Sequence, residues 1–381
     1  MCPSCIRHVT FHVSARLSNV VGALLLTACA GLNPYYDASR PHHRPGGFQN
    51  NYTAFEPKGL GELLRWQLDA WRRGLPMSPR VATPRVAADL AFINANALAG
   101  AAMQPAATWI GHATMLVQCG GVNIVTDPIF SDRASPLGFI GPKRQQPPGV
   151  ALTELPHIDL VLVSHNHYDH LDEASIRALA AQPGGAPLFV VPLGIKPWLA
   201  ALGITNAVEL DWWQSHTLTT PRGSAEVVMT PVQHWSGRGF GDRLQTLWGG
   251  YAVFTAGFQM FHAGDTGYSK DFADIRERFA ARQGAAQGGG FDLALLPVGA
   301  YEPRWFMAQQ HVNPAEALRI HADLGAKQTI GVHWGTFELT DEALDEPPLR
   351  LAEARRARGV ADEAFSVMAI GETRRFERRV N

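Results

Sequence analysis

Cysteine is scarce in this chain of 381 residues, where it occurs only at Cys2, Cys5, Cys29 and Cys119. Four cysteines provide neither a disulfide framework nor a pair of zinc-ribbon knuckles. A charge excess is also missing, because 33 basic residues face 34 acidic ones. Counterion release, which draws basic proteins onto nucleic acid, has no basis here, and no nucleic-acid partner is expected. The glycine-rich stretch 283–290 lacks the G-x-x-x-x-G-K-S/T pattern, which excludes a P-loop.

Apolar runs long enough to span a bilayer are absent as well. The short apolar run at residues 20–26, with Arg7 and Arg16 before it, is typical of a signal-peptide core. It is followed by "LTAC", which resembles the end of a bacterial lipoprotein signal. This resemblance implies cleavage before Cys29 and a lipid anchor on that cysteine, although an ordinary buried cysteine at the end of a secretory signal is the alternative. Ala30, next in the chain in place of an aspartate, resembles signals that are sorted to an outer membrane. This resemblance implies the bacterial cell envelope as the location, on the outer membrane facing the periplasm.

The composition divides the chain into three parts. Residues 1–29 are expected to be the signal peptide. Residues 30–57 are rich in Pro, Gly, Asn and His, and are expected to be a tether or an irregular lead-in. Residues 58–381 are expected to form one domain.

Strand-like and helical patterns alternate unevenly along that domain. Two apolar runs separated by Gly120 and Gly121 predict a hairpin near residue 108, and further β-rich runs such as "IDLVLV", "PLFVVP", "YAVFTAG" and "DLALLPVG" follow. Because strands outnumber helices, and helices cluster after particular strands, the pattern favours two sheets packed face to face with helices outside. Helical spacing and capping residues predict helices at residues 59–74, 172–182 and 313–325.

The stretch "SHNHYDHLD", residues 164–172, concentrates metal-binding side chains directly after an apolar run. Imidazole and carboxylate groups that converge from several directions are what zinc and similar ions require. Alternation along the chain places His165 and His167 on one side. Asp169 and His170 fall in the following turn, where they are positioned for a second ion.

Further candidate ligands occur at the ends of later strands. "TPVQHWSG" contains His234, "FHAGDTGY" contains Asp265 and "IGVHWGT" contains His333, each after an apolar β-rich run. This repetition predicts a metal centre built from the 164–172 stretch and these three side chains. The remaining histidines are interpreted as loop (His42, His43), surface (His216, His321), packing (His262) or structural hydrogen-bonding residues (His112).

H-x-H-x-D-H followed by isolated His, Asp and His at strand ends resembles the metallo-β-lactamase superfamily, whose fold is an αβ/βα sandwich of two mixed sheets with outer helices. Several sequence segments resemble the N-acylphosphatidylethanolamine-hydrolysing phospholipase D family and its bacterial relatives. They are "GHATMLVQ", "TDPIFSDRASPLGFIGPKR", "ELPHIDLVLVSHNHYDHLD", "PVGAYEPRWFM" and "QHVNPAEA". The similarity runs in order from about residue 40 to 375. The glycine-rich insertion and the lipoprotein-like N-terminus depart from the animal enzyme.

The resemblance implies two Zn²⁺ ions per chain, although manganese and iron also accept these ligands. It implies that a hydroxide bridging the ions attacks the phosphodiester, giving phosphatidic acid and an N-acylethanolamine. It also implies a homodimer. The implied ligands are His165, His167 and His234 for the first ion, Asp169, His170 and His333 for the second, and Asp265 as the bridge.

Three residues are implied to lie near the substrate phosphate: Tyr168, Gln310 and His311. Tyr168 or His311 would steady the phosphate or protonate the leaving alcohol, and Asp265 would hold the hydroxide. For Tyr168 a packing role is the alternative, and for His311 a surface position.

Two other functions remain open from the sequence. One is a metal-dependent lactonase or a phosphodiesterase that acts on a small soluble substrate, because related metal centres support different chemistries. The other is a non-catalytic metal-binding lipoprotein of the envelope. A requirement for long acyl chains would separate the lipid enzyme from the first alternative, and metal content without hydrolysis would favour the second.

Overall fold

Two mixed β-sheets of seven strands each pack face to face in this chain. The computed structural model describes residues 32–239 and 241–379. The predicted signal peptide and Cys29 therefore lie outside the described residues. No helix in the described ranges is long and apolar enough to cross a membrane.

The segment at residues 32–57, predicted as a tether or an irregular lead-in, is irregular but does not extend away from the domain. Its only strands are β1 (His43–Arg44) and β2 (Gly47–Phe48), which pair with each other. Phe48 is buried in the main hydrophobic core. Asn50 is also buried, and its Oδ1 accepts hydrogen bonds from Trp248 Nε1 and the His234 backbone N–H. This part of the segment therefore belongs to the folded domain.

The first large sheet contains the hairpin predicted near residue 108. The Gly120–Gly121 turn uses left-handed backbone conformations, with φ of 57° and 79°. The strand order is β16-β3-β4-β5-β6-β7-β8; pairs on the β16 side of β5 are antiparallel and those on the β8 side are parallel. These strands are β3 (Ala106–Gly111), β4 (Thr114–Cys119), β5 (Val122–Thr126), β6 (Leu160–Leu162), β7 (Leu188–Pro192), β8 (Ala207–Leu210) and β16 (Thr373–Arg375).

The second large sheet repeats this plan. Its order is β15-β14-β13-β12-β11-β10-β9, with three antiparallel pairs from β9 to β12 and three parallel pairs from β12 to β15. The strands are β9 (Ser215–Thr220), β10 (Gly223–Thr230), β11 (Gly250–Thr255), β12 (Phe258–His262), β13 (Leu293–Pro297), β14 (Gln328–Val332) and β15 (Phe365–Val367).

The helices lie outside the sheets. The three predicted helices are present, and the last has the expected caps: Asn313 and Glu316 form a capping box, and Gly325 ends the helix at φ 62°. The sandwich of two mixed sheets with outer helices is therefore confirmed. The helices are α1 (Leu60–Arg73), α2 (Leu90–Ala97), α3 (Glu173–Ala180), α4 (Lys196–Ala201), α5 (Asp271–Arg278), α6 (Arg304–Met307), α7 (Pro314–Leu324) and α8 (Glu346–Arg358).

Two hydrophobic cores hold these layers together. The larger core lies between the sheets and extends to α5, α7 and α8, with Trp109, Tyr251 and Phe261 among its largest buried side chains. The smaller core lies on the outer face of the first sheet, where Val161 and Phe189 pack with apolar residues of α2, α3 and α4. Burying both faces of each sheet explains why the central strands are continuous apolar runs.

Candidate metal centre

The segments that follow four strands meet at one edge of the sandwich. Strand β6 leads into the loop at residues 164–172, β10 leads to His234, β12 to Asp265 and β14 to His333. Strands β10, β12 and β14 run in the same direction, so their carboxyl ends lie at the same edge of the second sheet. The loop after β6 reaches this edge from the first sheet. The candidate ligands predicted from the sequence are thereby brought together.

Three imidazoles form the first half of the centre. His165 Nε2 lies 2.8 Å from His167 Nδ1, and His234 Nε2 lies 3.3 Å from the same nitrogen. His165 and His234 are buried, and His167 is partly exposed. Ligand atoms held 2.0–2.1 Å from a tetrahedral ion are about 3.3 Å apart, so this spacing suits one ion.

The second half consists of one carboxylate and two imidazoles. Asp169 Oδ2 lies 3.5 Å from His170 Nε2 and 3.3 Å from His333 Nε2. His170 and His333 are buried, while Asp169 is partly exposed. This group is distinct from the first but adjacent to it, since the ring centroids of His165 and His170 are 4.2 Å apart.

Asp265 lies between the two groups. Its Oδ2 is 3.9 Å from both His165 Nε2 and His234 Nε2, and 3.0 Å from His170 Nε2. Its Oδ1 is 3.1 Å from His333 Nε2. One buried carboxylate thus faces both sets of ligand atoms, which is the position that a bridging ligand requires.

Several polar atoms of the cluster face one another at ion-pair distance without forming aligned hydrogen bonds. His170 Nε2, His333 Nε2 and Asp265 Oδ1 are buried and make no aligned hydrogen bond with other described residues. Buried polar atoms in proteins are normally paired, because an unpaired one loses its hydration without compensation. Imidazole nitrogens and carboxylate oxygens converging in this way fit divalent metal ions.

The protonation states of the first group also suit a metal. Burial lowers the pKa of His167 to about 3 and that of His234 to about 4. Burial likewise holds the pKa of His165 well below its ordinary value. All three rings are therefore neutral at pH 7, and neutral imidazole is the form that binds metal.

The second group instead holds ionised carboxylates beside protonated imidazoles. Burial acts to raise the pKa of Asp265, but His170 and His333 hold it well below its usual range. Burial also acts to lower the pKa of His333, but the Asp265 carboxylate raises it to about 9. Burial acts to lower the pKa of His170 as well, but the carboxylates of Asp265 and Asp169 raise it well above its ordinary value. Protons on His170 and His333 thus compensate the carboxylates where bound cations would do the same.

Asp127 is a supporting residue that the sequence interpretation missed. It is fully buried after β5, and its carboxylate accepts from Ser164, from His170 Nδ1 at 2.8 Å and from His262 Nε2 at 2.9 Å. Because Nδ1 of His170 is engaged, its Nε2 is directed to the cluster. His262, interpreted as a packing residue, also serves this hydrogen-bond network. Asp127 follows the apolar run "VNIVT", so the strand-end signal that identified Asp265 was present here too.

His112 has the structural hydrogen-bonding role expected of it. Its Nε2 lies 2.9 Å from Asp169 Oδ2, and its backbone carbonyl accepts from the His333 N–H. Burial, followed by the charge of His333, lowers the pKa of His112 to about 3. His112 and His333 both have left-handed φ angles, 53° and 63°, which cost energy for residues other than glycine and are concentrated at functional sites. The ring of His112 is close enough to Asp169, His170 and His333 for all four to hold one ion.

The three residues expected near a substrate phosphate are placed differently from one another. His311 is buried beside the cluster, with its Nδ1 3.9 Å from Asp265 Oδ2. Gln310 contributes its backbone carbonyl, which accepts from His234 Nδ1, while its side chain is directed to Met307. Tyr168 is partly exposed, and its hydroxyl donates to the carbonyl of Arg238.

Tyr168 lines a neighbouring cleft. The Arg238 guanidinium lies 4.0 Å from the Tyr168 ring, and both residues line a cleft of about 710 Å³ together with Arg133, Arg177 and Trp198. The Tyr168 hydroxyl and the His311 ring therefore occupy different surroundings, although both adjoin the candidate ligands.

His42 and His43, interpreted as loop histidines, are buried instead. Their Nε2 atoms lie 2.6 and 3.0 Å from the two oxygens of Asp211, which also pairs with Arg40 at 2.5 Å. His43 Nδ1 accepts from the Asp37 N–H, so the proton of its neutral ring is on Nε2. This group fixes the lead-in segment to the first sheet. A metal ion is disfavoured there, because the carboxylate already has a cation and His43 has no free lone pair.

The chain is similar in sequence to known proteins. Residues 122–334 match the family described as a beta-lactamase superfamily domain. The chain is 41% identical over 274 residues to a Caenorhabditis elegans protein named N-acyl-phosphatidylethanolamine-hydrolyzing phospholipase D 1, covering 70% of this chain and 74% of that protein. It is 39% identical over 272 residues to a mitochondrial Saccharomyces cerevisiae protein of the corresponding name, covering 71% of this chain and 56% of that protein.

A solved structure of a metallo hydrolase from the archaeon Ignicoccus hospitalis is also similar. It has 21% sequence identity and a TM-score of 0.53, with 72% of this chain and 100% of that chain covered. At this identity the similarity concerns the fold alone. It agrees with the two-sheet sandwich described above.

Proposed function

The chain belongs to the beta-lactamase superfamily and is a metal-dependent hydrolase; from this premise we propose that it is a zinc-dependent phosphodiesterase of the phospholipase D type. Its proposed substrates are phospholipids similar to N-acylphosphatidylethanolamine. Water cleaves the bond between phosphorus and the ethanolamine oxygen, so the water oxygen stays on phosphatidic acid and a proton goes to the leaving N-acylethanolamine.

The observation that carries the proposal is the position of Asp265 between two sets of ligand atoms. A lone structural ion needs one closed ligand set, whereas a hydrolytic centre with two ions needs two adjacent sets with a shared ligand. Asp265 Oδ2 lies 3.0 Å from His170 Nε2 and 3.9 Å from His165 Nε2, which fits sharing. The lipid substrate is supported by the names of the two enzymes that are 41% and 39% identical to the chain.

Two zinc ions held by these residues would lower the pKa of water and reduce the negative charge on the phosphate oxygens. Hydrogen bonds within the protein orient the ligands for that role. The carbonyl of Gln310 accepts the Nδ1–H of His234, and Asp127 accepts that of His170, so both Nε2 atoms face the centre. Asp265 remains ionised at neutral pH because His170 and His333 lower its pKa despite burial.

His311 is the residue best placed to contact the phosphate. Burial holds its pKa well below the ordinary value, so its ring is neutral at pH 7. A neutral imidazole donates one hydrogen bond without carrying a charge, which suits orienting a phosphate oxygen better than protonating the leaving alcohol. Tyr168, whose hydroxyl donates to the Arg238 carbonyl, would contact substrate only at the wall of the cleft it lines.

The test is hydrolysis by metal-analysed protein that lacks residues 1–29. The substrates are N-acylphosphatidylethanolamine in detergent micelles, a short-chain phosphodiester and a lactone. Release of N-acylethanolamine that is lost in His165→Ala but kept in His216→Ala supports the proposal. His216 is a suitable control because it lies on β9, away from the cluster.

If only the small substrates are hydrolysed, the chain is a hydrolase whose substrate is not the lipid. A lactonase or a soluble phosphodiesterase would then be favoured. The non-catalytic alternative is not retained, because the chain belongs to a family of metal-dependent hydrolases.

We also propose attachment to the bacterial envelope through lipidated Cys29, on the outer membrane facing the periplasm. The support is the sequence "LTAC" after a short apolar run. Cys29→Ala should abolish incorporation of radiolabelled fatty acid, and any Cys29→Ala protein that has lost its signal peptide should leave the membrane fraction. Cleaved Cys29→Ala protein that stays fully membrane-bound would contradict the anchor. The homodimer implied by the resemblance stays a prediction, which light scattering of the purified protein would check.

A further inference from the structure

Helix α1 carries an apolar stripe that no other described part of the structure covers. Leu60, Leu64 and Leu68 are 42%, 46% and 44% exposed, and Trp71 is 75% exposed. At 100° per residue these side chains fall within an arc of about 80°. Single exposed apolar residues are common, but four on one face of one helix form a contiguous surface.

This stripe is separate from the face that attaches α1 to the domain. Trp66 and Ala70 are buried against Met307, with Leu63 and Phe306 packed alongside. The Trp66 and Phe306 rings are 4.7 Å apart. Because α1 is already held by this packed face, the exposed stripe is not needed to fix the helix on the protein.

Charged side chains border the stripe on the side away from the packed face. Arg65 and Arg72 lie about 40–60° beyond Leu68 on the helical wheel. Their side chains are 69% and 63% exposed, and each is only loosely paired with Asp69, at 3.8 and 3.9 Å. Exposed arginines beside an apolar stripe are typical of a helix that lies in a lipid interface, with guanidinium groups at the headgroups and apolar side chains below them.

The helix is connected to the metal centre by two short routes. Through its packed face it contacts Met307, whose backbone carbonyl accepts from the His311 N–H at 2.9 Å. The segment before it carries Phe55, which stacks on Trp235 at 5.2 Å. The Trp235 ring is in turn 4.3 Å from that of His167, one of the partly exposed candidate ligands.

We propose that α1 docks the enzyme on an anionic lipid surface through Leu60, Leu64, Leu68 and Trp71. The proposal rests on the proposed function, since acylation of the ethanolamine nitrogen removes its positive charge and leaves the substrate phospholipid anionic. Arg65 and Arg72 complement that charge. Helix α1 packs on the segment that leads to His311, and Phe55 in the segment before it stacks on Trp235 beside the centre. Docking through α1 therefore holds the candidate ligands beside the bilayer that contains the substrate.

The test uses protein that begins at residue 30, so that a lipid anchor does not contribute. The described residues, 32–239 and 241–379, include both large sheets, both cores and every candidate ligand, so this protein retains the folded domain. Flotation with vesicles of phosphatidylcholine and phosphatidylglycerol measures docking. The variant is Leu64→Gln/Leu68→Gln/Trp71→Gln, and the matched control is Leu98→Gln/Leu349→Gln, at residues 76% and 55% exposed elsewhere.

The stripe variant should lose vesicle binding by about tenfold or more, while the control binds as the wild type does. Arg65→Gln and Arg72→Gln should each weaken binding by about fivefold, with the difference disappearing on pure phosphatidylcholine. Turnover of a soluble phosphodiester should be unchanged in all variants. Equal melting temperatures and metal contents exclude misfolding.

Unchanged vesicle binding by the stripe variant overturns the proposal. If that result is accompanied by conversion of a dimer to a monomer, the stripe covers a second copy of the chain. If the stripe variant loses vesicle binding but the wild type does not hydrolyse N-acylphosphatidylethanolamine, docking through α1 is supported and the proposed function is wrong.

Discussion

At the scale of single residues, Asp265 is the side chain on which both halves of the candidate centre depend. Asp265→Asn keeps the shape but replaces one carboxylate oxygen with an amide nitrogen, which cannot bridge two ions. Hydrolysis should fall by at least about 10²-fold, and at least one equivalent of metal should be lost. Metal analysis and kinetics check this, with Asp362→Asn, at a carboxylate 81% exposed, as the control. Full metal content with full activity would show that Asp265 is no ligand.

Asp127 positions ligands without reaching the centre itself. Asp127→Asn should weaken metal binding by about 10- to 100-fold, because His170 loses the carboxylate that holds its Nδ1–H. Competition with a chelator measures the affinity. Asp211→Asn is the matched control, since Asp211 also holds two histidines but lies outside the cluster. Both variants should be less stable, and only Asp127→Asn should bind metal less tightly; an equal loss of affinity in both would mean that general destabilisation is the cause.

The candidate metal ligands predicted from the sequence share one signal, a metal-binding side chain within a few residues of the end of an apolar strand or in the turn that follows it. Asp127 shows this signal but was overlooked, because its partners lie inside the protein and its carboxylate has no place in the motif. The buried state of His42 carries no such signal. Its partner Asp211 is 169 positions away, and only the folded chain brings the two together.

At the scale of elements, the lead-in segment behaves as part of the domain. Phe48 is 2% exposed within the main core, so Phe48→Ala should lower the free energy of unfolding by about 3–5 kcal/mol. Tyr36→Ala, at a ring 47% exposed in the same segment, should change it by less than about 1 kcal/mol. Chemical denaturation of both variants provides the measurement. Equal small effects would mean that the segment is a tether after all.

Elements were predictable where several local signals agreed. Helix α7 has a capping box, a proline in its first turn and a terminal glycine, and the structure has it where these signals place it. Helix α8 and strand β9 were not identified. The α8 sequence "EPPLRLAEARRAR" has no clear apolar stripe, and β9 is an edge strand of mostly polar residues whose conformation comes from pairing with β10. Tertiary contacts determine such segments more than their own sequence does.

At the scale of the whole molecule, the candidate centre joins the two sheets. His165 and His170 follow β6 of the first sheet, whereas His234, Asp265 and His333 follow strands of the second. Metal that binds only the folded form stabilises it by about 2.7 kcal/mol at a hundredfold excess over the dissociation constant. Chelation should therefore lower the melting temperature by several degrees, as calorimetry would show. In His165→Ala the difference in melting temperature between metal-loaded and chelated protein should be smaller. An unchanged difference would mean that the stabilising metal binds elsewhere.

The pH dependence of the metal-free protein follows from opposite pKa shifts in the two halves. Burial lowers the pKa of His112 and His167 to about 3 and of His234 to about 4, so in acid the unfolded chain binds protons that the folded chain does not. Stability should decrease as the pH falls below about 6.5, by about 1.4 kcal/mol per pH unit for each such histidine.

The opposite applies to His333, whose pKa of about 9 is raised by Asp265. The stability that the protonated His333 contributes is fully present below about pH 6.5 and is lost as the pH rises through 9. Chelated protein should therefore be most stable near pH 6.5. Bound metal replaces the proton on His333, so the loaded protein should keep its stability to higher pH. Melting temperatures from pH 4.5 to 9 with and without chelator test this; a metal-free profile that keeps rising above pH 7 would contradict the assignment of a protonated His333.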